Sequence, residues 1–440
     1  MDTKQILDTI AEYEASTIYH DLVTYKEYYE VKNPDVMRRW AERNRRGKTP
    51  NWRISTPYYA TVIDTMAGYM FSDVEYESDN DKYEAELTTL LEALHISTTD
   101  MTTGTYALAY NRAYELIYSE GEGKVNAKLT NLDPLTVIPI YDDSIEQKMT
   151  AVIWKRKSGK ETLIDYIDKG IWEYYKIQKG DDGIDKLVER NNPKVLYFSR
   201  CPVLEYRSEL IGEAPPFSVV ISYIAALDWA ITGNSNELDR VMDALLIIGK
   251  KVAEEDADHM DEWKFLDDIS KDEMTPQYIT KNLSAEFRKY VTDLLISEIH
   301  KHTHVINWND PNIMGGEASA RALKIRLFDM QMFSNRIEKI YKLSLEDRIT
   351  LLGELASKIK QTTSPEPIKI TLKRTIPTDM ETLMQGLAGV DYLSDQTKIG
   401  LLGLDWEVEK ARLEEEAPEI NLDLIPPINE TMVDNNSDGV

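Results

Sequence analysis

Cysteine is almost absent from this chain, histidine is scarce and no long apolar run occurs, and each shortage removes a class of protein. A single cysteine, Cys201, excludes an internal disulfide framework and a cysteine-based zinc site, and it fits synthesis in a reducing place such as cytoplasm. We expect Cys201 to be a small, strand-buried residue. The opening MDTKQILDTI lacks a positively charged start followed by an apolar core, so no secretory signal is expected. The longest apolar stretch, Val219 to Ile231, is interrupted by Asp228 and is too short to span a bilayer, so no membrane partner is expected. Positive charge is short as well. The 440 residues carry 51 Lys+Arg against 77 Asp+Glu, a formal net charge of −26, which disfavours a protein that coats DNA through a basic footprint. DNA as a passing client stays open.

Chemistry-bearing motifs are missing too. No G-x-x-x-x-G-K-[ST] phosphate loop and no G-x-G-x-x-G after a strand occurs, so a nucleotide-driven motor is unsupported. H-E-x-x-H and G-x-S-x-G are absent. Asp79-Asn80-Asp81 begins like a calcium loop but lacks the glycine and glutamate that close the shell, and reads as a solvated turn. His300, His302 and His304 could in principle ligate zinc or nickel from an extended segment. An i, i+2 spacing in a helix splays the rings apart, and helix-end and loop histidines are the expected reading. Carboxylate runs such as Asp267-Asp268 and Glu414-Glu415-Glu416 read as solvated faces. No catalytic residue, metal or cofactor is expected.

What is present is a mixed pattern. Residues 4 to 30 carry Ile6, Ile10, Tyr13, Ile18, Leu22, Tyr25 and Tyr29 at helical spacing, one amphipathic opening helix. A basic patch follows, Arg38, Arg39, Arg43, Arg45, Arg46, Lys48 and Arg53 with Trp40 and Trp52, suited to an acidic neighbour or to nucleic acid. Thr56-Pro57 opens a helix from Tyr58 to Phe71. A short strand at 74–76 and helices near 82–95 and 101–113 come next. From Tyr114 to Tyr206 short β-branched and aromatic runs alternate with Gly- and Asp-rich turns, an antiparallel β region inserted among helices. The fold class is α+β.

Ala214-Pro215-Pro216 starts a helical segment to about Ile248, with Gly233-Asn234-Ser235-Asn236 as a weak point. An acidic stretch, Glu254 to Glu273, holds Trp263, Phe265 and Leu266. A helix near 284–300, a loop over 301–316 and a helix over 318–360, roughly 60 Å if unbroken, complete the middle of the chain. A strand at 368–374, a helix at 379–390 and two short helices between 394 and 416 precede a tail, from Glu419, expected to be disordered.

Several segments, taken in order, resemble the portal proteins of long-tailed bacteriophages, in the branch common among phages of Gram-positive bacteria. Tyr28-Tyr29-Glu30-Val31-Lys32-Asn33-Pro34 is similar to a block of that family, with Val31 where glycine is usual. Asn51-Trp52-Arg53-Ile54-Ser55-Thr56-Pro57-Tyr58-Tyr59 and the helix after it resemble a second block. The runs Asn236 to Arg240, Asp243 to Ile248 and Gly315 to Lys324 resemble later ones, with Ala318-Ser319-Ala320 where the family tends to Ser-Gly-Val.

The resemblance implies a portal fold: a wing (1–215) with its β region at 114–206, a first stem helix (216–248), a clip (249–282), a second stem helix (283–300), a tunnel loop (301–316), a long kinked helix returning to the wing (317–378), crown helices (379–418) and a tail (419–440). It implies a homo-oligomeric ring, a dodecamer, at one capsid vertex in the virion. Double-stranded DNA would pass through it, and the terminase large subunit, the head-tail adaptor and the major capsid and scaffolding proteins would be partners. Tunnel-loop candidates are Asn307, Trp308, Asn309, Asp310, Asn312, Gly315 and Gly316, short polar groups and flexible backbone around one aromatic. Clip candidates for partner binding are Glu262, Trp263, Phe265, Asp267 and Asp268. The competing readings are another capsid or tail structural protein, and an acidic metal-dependent nuclease.

Overall fold

The structure, a computed structural model, describes residues 1–43, 51–120, 126–179, 185–242, 245–248, 265–267, 277–279, 285–308, 327–359, 366–374, 394–402, 404 and 406–416. The chain divides into two units, residues 1–376 and 377–440.

The opening segment forms two helices, α1 (Thr3–Glu14) and α2 (Thr17–Tyr29), where the periodicity led us to expect one. Ser16 makes the break: its hydroxyl accepts the N–H of Tyr19 and so caps α2. Helix α3 (Pro34–Arg43) carries the start of the basic patch, and α4 (Tyr58–Phe71) has the bounds its sequence predicts. Then come β1 (Asp73–Ser78), α5 (Asp81–Ala93) and α6 (Ile96–Tyr110). Asn80, expected in a solvated turn, caps α5 by accepting the N–H groups of Lys82 and Tyr83. Helices α4 and α6 cross closely at Gly104, where a Cβ would stand 2.1 Å from the ring of Phe71.

The β region forms two antiparallel sheets. One has the order β3-β2-β9, from β2 (Ala113–Glu120), β3 (Asn126–Leu132) and β9 (Val203–Tyr206). The other is a five-stranded meander of β4 (Val137–Tyr141), β5 (Met149–Ser158), β6 (Glu161–Asp168), β7 (Ile171–Lys179) and β8 (Asp185–Val195). Alternation along β5 assigns its faces: Val152 packs with Tyr114, Leu116 and Leu132 of the smaller sheet, while Ala151 and Ile153 pack with Ile6 and Ile10 of α1. The amphipathic opening helix is thus the cover of the meander's second face. Cys201 is buried between the sheets, in the loop before β9 and not in a strand, and burial pushes its thiol up to about 12.

Two strands of this β region escaped the sequence reading. Strand β8 is polar and contains Asn191-Asn192-Pro193, tolerated because β8 is the edge of its sheet. Strand β9 is too short to stand out from its loop.

Helix α7 (Ile221–Met242) ends before the expected Ile248, because Leu245–Ile248 forms a strand, β10, paired parallel with β11 (Phe265–Asp267) and antiparallel with β12 (Gln277–Ile279). A short continuous apolar run is compatible with either state, and strand pairing decides it. Helix α8 (Ala285–Thr303) follows, then α9 (Phe328–Lys358), then β13 (Ile368–Lys373), which pairs antiparallel with β1. In the second unit, α10 (Asp395–Leu401) and α11 (Trp406–Glu416) match the two expected short helices. The helix expected at 379–390, residues 318–326 of the expected long helix and the tail from Glu419 lie outside the described residues.

The largest core joins α2, α4, α5, α6 and α9, with Ile224 and Leu227 of α7 and Ile299 of α8. At its centre is a buried charge. Arg348 of α9 donates from Nε and Nη2 to the two oxygens of Glu115 on β2, at 2.9 and 2.8 Å, and from Nη1 to Asp100 of α6. Tyr76 of β1 and Tyr206 of β9 complete the knot by donating to Asp100 and Glu115, at 2.9 and 2.7 Å. Burial opposes the charge on Arg348, but the two carboxylates hold its pKa above the ordinary value.

Candidate channel-wall helices and the loop beyond them

Helices α7 and α8 pack against each other and flank the small sheet in sequence. One face of α7 is polar where a buried helix would be apolar, and the reason lies in residues 52–56. Asn236 accepts the Trp52 N–H at 2.7 Å and donates to the Trp52 carbonyl at 3.0 Å. Thr232 accepts the Ile54 N–H at 3.0 Å and donates to its carbonyl at 3.2 Å. Asp228 accepts the N–H and the hydroxyl of Thr56, at 2.8 and 2.6 Å. Two extended residues advance about 6.6 Å and four helical residues about 6 Å. Alternate residues of the extended segment therefore stay in step with every fourth residue of the helix.

Further contacts lock the ends of this ladder. The Trp52 indole N–H donates to Asp239, and Asn33 donates to the second oxygen of Asp228 at 2.8 Å. Among the described residues no cation pairs with Asp228; burial raises its pKa, and the donors from Thr56 and Asn33 pull it back. Val31, two residues before Asn33, adopts a left-handed φ of 59°, a conformation that glycine takes without strain. The three stretches that resemble a known family separately in sequence, around Asn33, Asn51 to Thr56 and Asn236, meet at this one joint. The expected weak point at 233–236 is instead part of a continuous helix that supplies the ladder's last rung.

The three histidines do not converge. His300 donates from Nδ1 to the Val305 carbonyl at 3.0 Å and sits edge-on to Tyr58, and its burial lowers its pKa. His302 meets Glu298 at 3.1 Å and tilts over Tyr223 of α7. His304, at a left-handed φ of 59°, meets Asp329 of α9 at 2.8 Å and stacks on Phe333. Each ring fastens the end of α8 to a different element. Among the described residues, no three His, Cys, Asp or Glu side chains come together as a metal-binding group.

Helix α8 runs through Thr303, so the segment expected as a loop from 301 starts at His304. Val305 and Ile306 are then buried in the main core, and Trp308 emerges at 39 % exposure. Asn307 is half-buried and makes an interaction of its own. Asn309, Asp310, Asn312, Gly315 and Gly316 lie outside the described residues. Of the other candidate set, Phe265 and Asp267 fall on β11, while Glu262, Trp263 and Asp268 lie outside the described residues. The ladder residues Asp228, Thr232 and Asn236 were missed as a set. Their i, i+4, i+8 spacing was the available signal, hidden because three polar residues on an apolar helix read as solvent-facing.

The described residues thus form an α+β body, a helix pair that flanks a small sheet in sequence, and a 31-residue helix held in the body by a buried arginine. The chain belongs to the phage portal proteins: the family described as phage portal protein, SPP1 Gp6-like, matches residues 10–421. It is a portal protein and a component of the virion. Among solved structures it is similar to a chain of "Neck of native GTA particle computed with C12 symmetry", with TM-score 0.41 and 11 % identity over 88 % of this chain and 94 % of that one. It is also similar to a chain of "Virion of native gene transfer agent (GTA) particle", with TM-score 0.39 and 12 % identity over 88 % and 94 %. No curated protein sequence matches it. No helix among the described residues is long and apolar enough to cross a membrane.

Proposed function

We propose that copies of this portal protein close into a ring, a dodecamer, at one capsid vertex, and that double-stranded DNA passes through its bore during packaging, retention and ejection. Residues 1–215 would form the wing, α7 and α8 the stem, the small sheet of β10, β11 and β12 the clip, and the segment expected over 301–316, which starts at His304 once α8 has ended, the tunnel loop. The clip, with Glu262, Trp263, Phe265, Asp267 and Asp268, would dock the terminase large subunit and later the head-tail adaptor. Major capsid and scaffolding proteins would surround the wing. The family match over residues 10–421 carries this reading.

The charge balance agrees with a conduit. Each copy carries −26, and a wall rich in carboxylates releases few counterions from DNA and so offers few sites where the duplex would stick. Asn307, Trp308, Asn309, Asp310, Asn312, Gly315 and Gly316 are then the groups expected nearest the duplex. Because Val305 and Ile306 are buried, the removable part begins at Trp308. Deleting residues 308–312 should leave rings visible by negative-stain electron microscopy while shortening the packaged genome or letting it leak. Full-length, stably retained genomes from the deletion would remove the loop from the bore. A wild-type chain that forms no end-on ring with a central hole would remove the ring itself.

A further inference from the structure

A closed ring of identical chains needs two different surfaces on each copy, one to fit the other. Two helix faces of unlike character are exposed on this chain. On α9, Phe328, Met332, Arg336, Lys339 and Leu343 recur at i, i+4, i+8, i+11 and i+15, one stripe of about 22 Å. Phe328, Met332 and Leu343 are 62, 54 and 60 % exposed. The loop before α7 enlarges this stripe. Arg336 meets Glu209 at 3.0 Å, which brings Leu210 and Ile211, both exposed, close to the α9 stripe.

That loop is braced rather than slack. The Asn111 side chain accepts the N–H groups of Ser208 and Glu209 at 3.1 and 2.7 Å, and Glu213 is paired with Arg112 and Arg207. An apolar patch held rigid in water, with a basic rim, is the form of a docking surface. Its rim carries Arg336, Lys339 and Lys342, with Arg336 paired to Glu209 and Lys342 to Glu338, which leaves Lys339 as the cation to meet a partner, on a chain of net charge −26.

On α8, Glu286, Tyr290, Asp293, Leu294 and Ser297 lie on one face, with Tyr290 and Leu294 63 and 44 % exposed and Lys289 at the margin. This stripe is about 17 Å long. Its centre is apolar and acidic where that of α9 is apolar and basic. DNA is a poorer occupant of the α9 stripe, because phosphates reward dense cations and gain nothing from Phe328, Met332 and Leu343. We propose that the α8 stripe of one copy docks on the α9 stripe and the Leu210-Ile211 loop of the next, Asp293 facing Lys339, as the repeated contact of the ring. This rests on the ring reading above and names the faces that build it.

The test mixes two chains that each carry one added cysteine, a tagged Leu294→Cys variant and an untagged Met332→Cys variant, under mild oxidation; the native thiol of Cys201 is buried and stays out of reach. A cross-linked dimer of tagged with untagged chain is expected from the mixture, and none from either variant alone. Lys339→Glu should lower the cross-linked yield at least tenfold with melting unchanged, and adding Asp293→Lys to the same chains should restore it. Rings without the mixed cross-link, or a cross-link from one variant alone, would overturn the pairing and leave the ring reading standing. The mixed cross-link without a closed ring would support the pairing and count against the ring. Loss of duplex-DNA binding in Lys339→Glu with full cross-linking would instead assign the stripe to DNA.

Discussion

Two regions of this protein bury carboxylates and solve the problem in opposite ways. Around Arg348, Asp100 and Glu115 are neutralised by one guanidinium and two tyrosine hydroxyls, all contributed by elements of the body. Along α7, Asp228 pairs with no cation among the described residues and is satisfied by a backbone N–H, a hydroxyl and an amide. The first arrangement fixes five elements at a point. The second lays an extended strap along a helix, each rung contributing modestly and replaceable one at a time. A body that must not deform carries the knot, and a helix proposed to line a moving substrate carries the ladder.

The largest effect should come from the knot. Arg348→Met leaves Glu115 and Asp100 buried without a cation and should cost about 3–5 kcal/mol. Chemical denaturation would read it, and a loss under 1 kcal/mol would mean that the carboxylates find other partners. Gly104→Ala presses a methyl group into the ring of Phe71 near the same knot, and about 1–3 kcal/mol of destabilisation is expected from overpacking. Unchanged thermal melting would show that α4 and α6 can separate freely.

In the ladder, Asn236→Ala leaves the backbone N–H and carbonyl of Trp52 without their side-chain partner and should cost about 1–3 kcal/mol. Hydrogen exchange should rise across residues 52–56 well before it rises around Arg348; a simultaneous rise would erase the contrast between the regions. Val31→Gly is the smallest and has the opposite sign. A β-branched residue at φ 59° is strained, and relieving it should add about 1 kcal/mol to the melting stability. A decrease would show that the Val31 side chain contributes more than its backbone strain removes.

Val31 marks the reach of local pattern. The resemblance marks this position as one where glycine is usual, and only the backbone explains why: the chain turns left-handed two residues before Asn33 reaches Asp228. The α+β class, α4 with its bounds, the meander and the long α9 were all legible because period 3.6 and period 2 are local properties. The break at Ser16, the end of α7 at Met242 and the polar edge strand β8 were not, since a cap, a strand partner and an edge position depend on neighbours.

By itself the sequence determined the alternation of helices and strands, the acidity of the chain and its likeness to portal proteins, because composition, periodicity and short motifs are written in neighbouring residues. Only the tertiary structure decided which polar residues are buried and what satisfies them. Arg348 and Glu115 are 233 positions apart, and Thr232 and Ile54 are 178 apart. A buried charge or a polar rung is stable only when its partner arrives through the fold, and no local pattern specifies which distant residue that partner is.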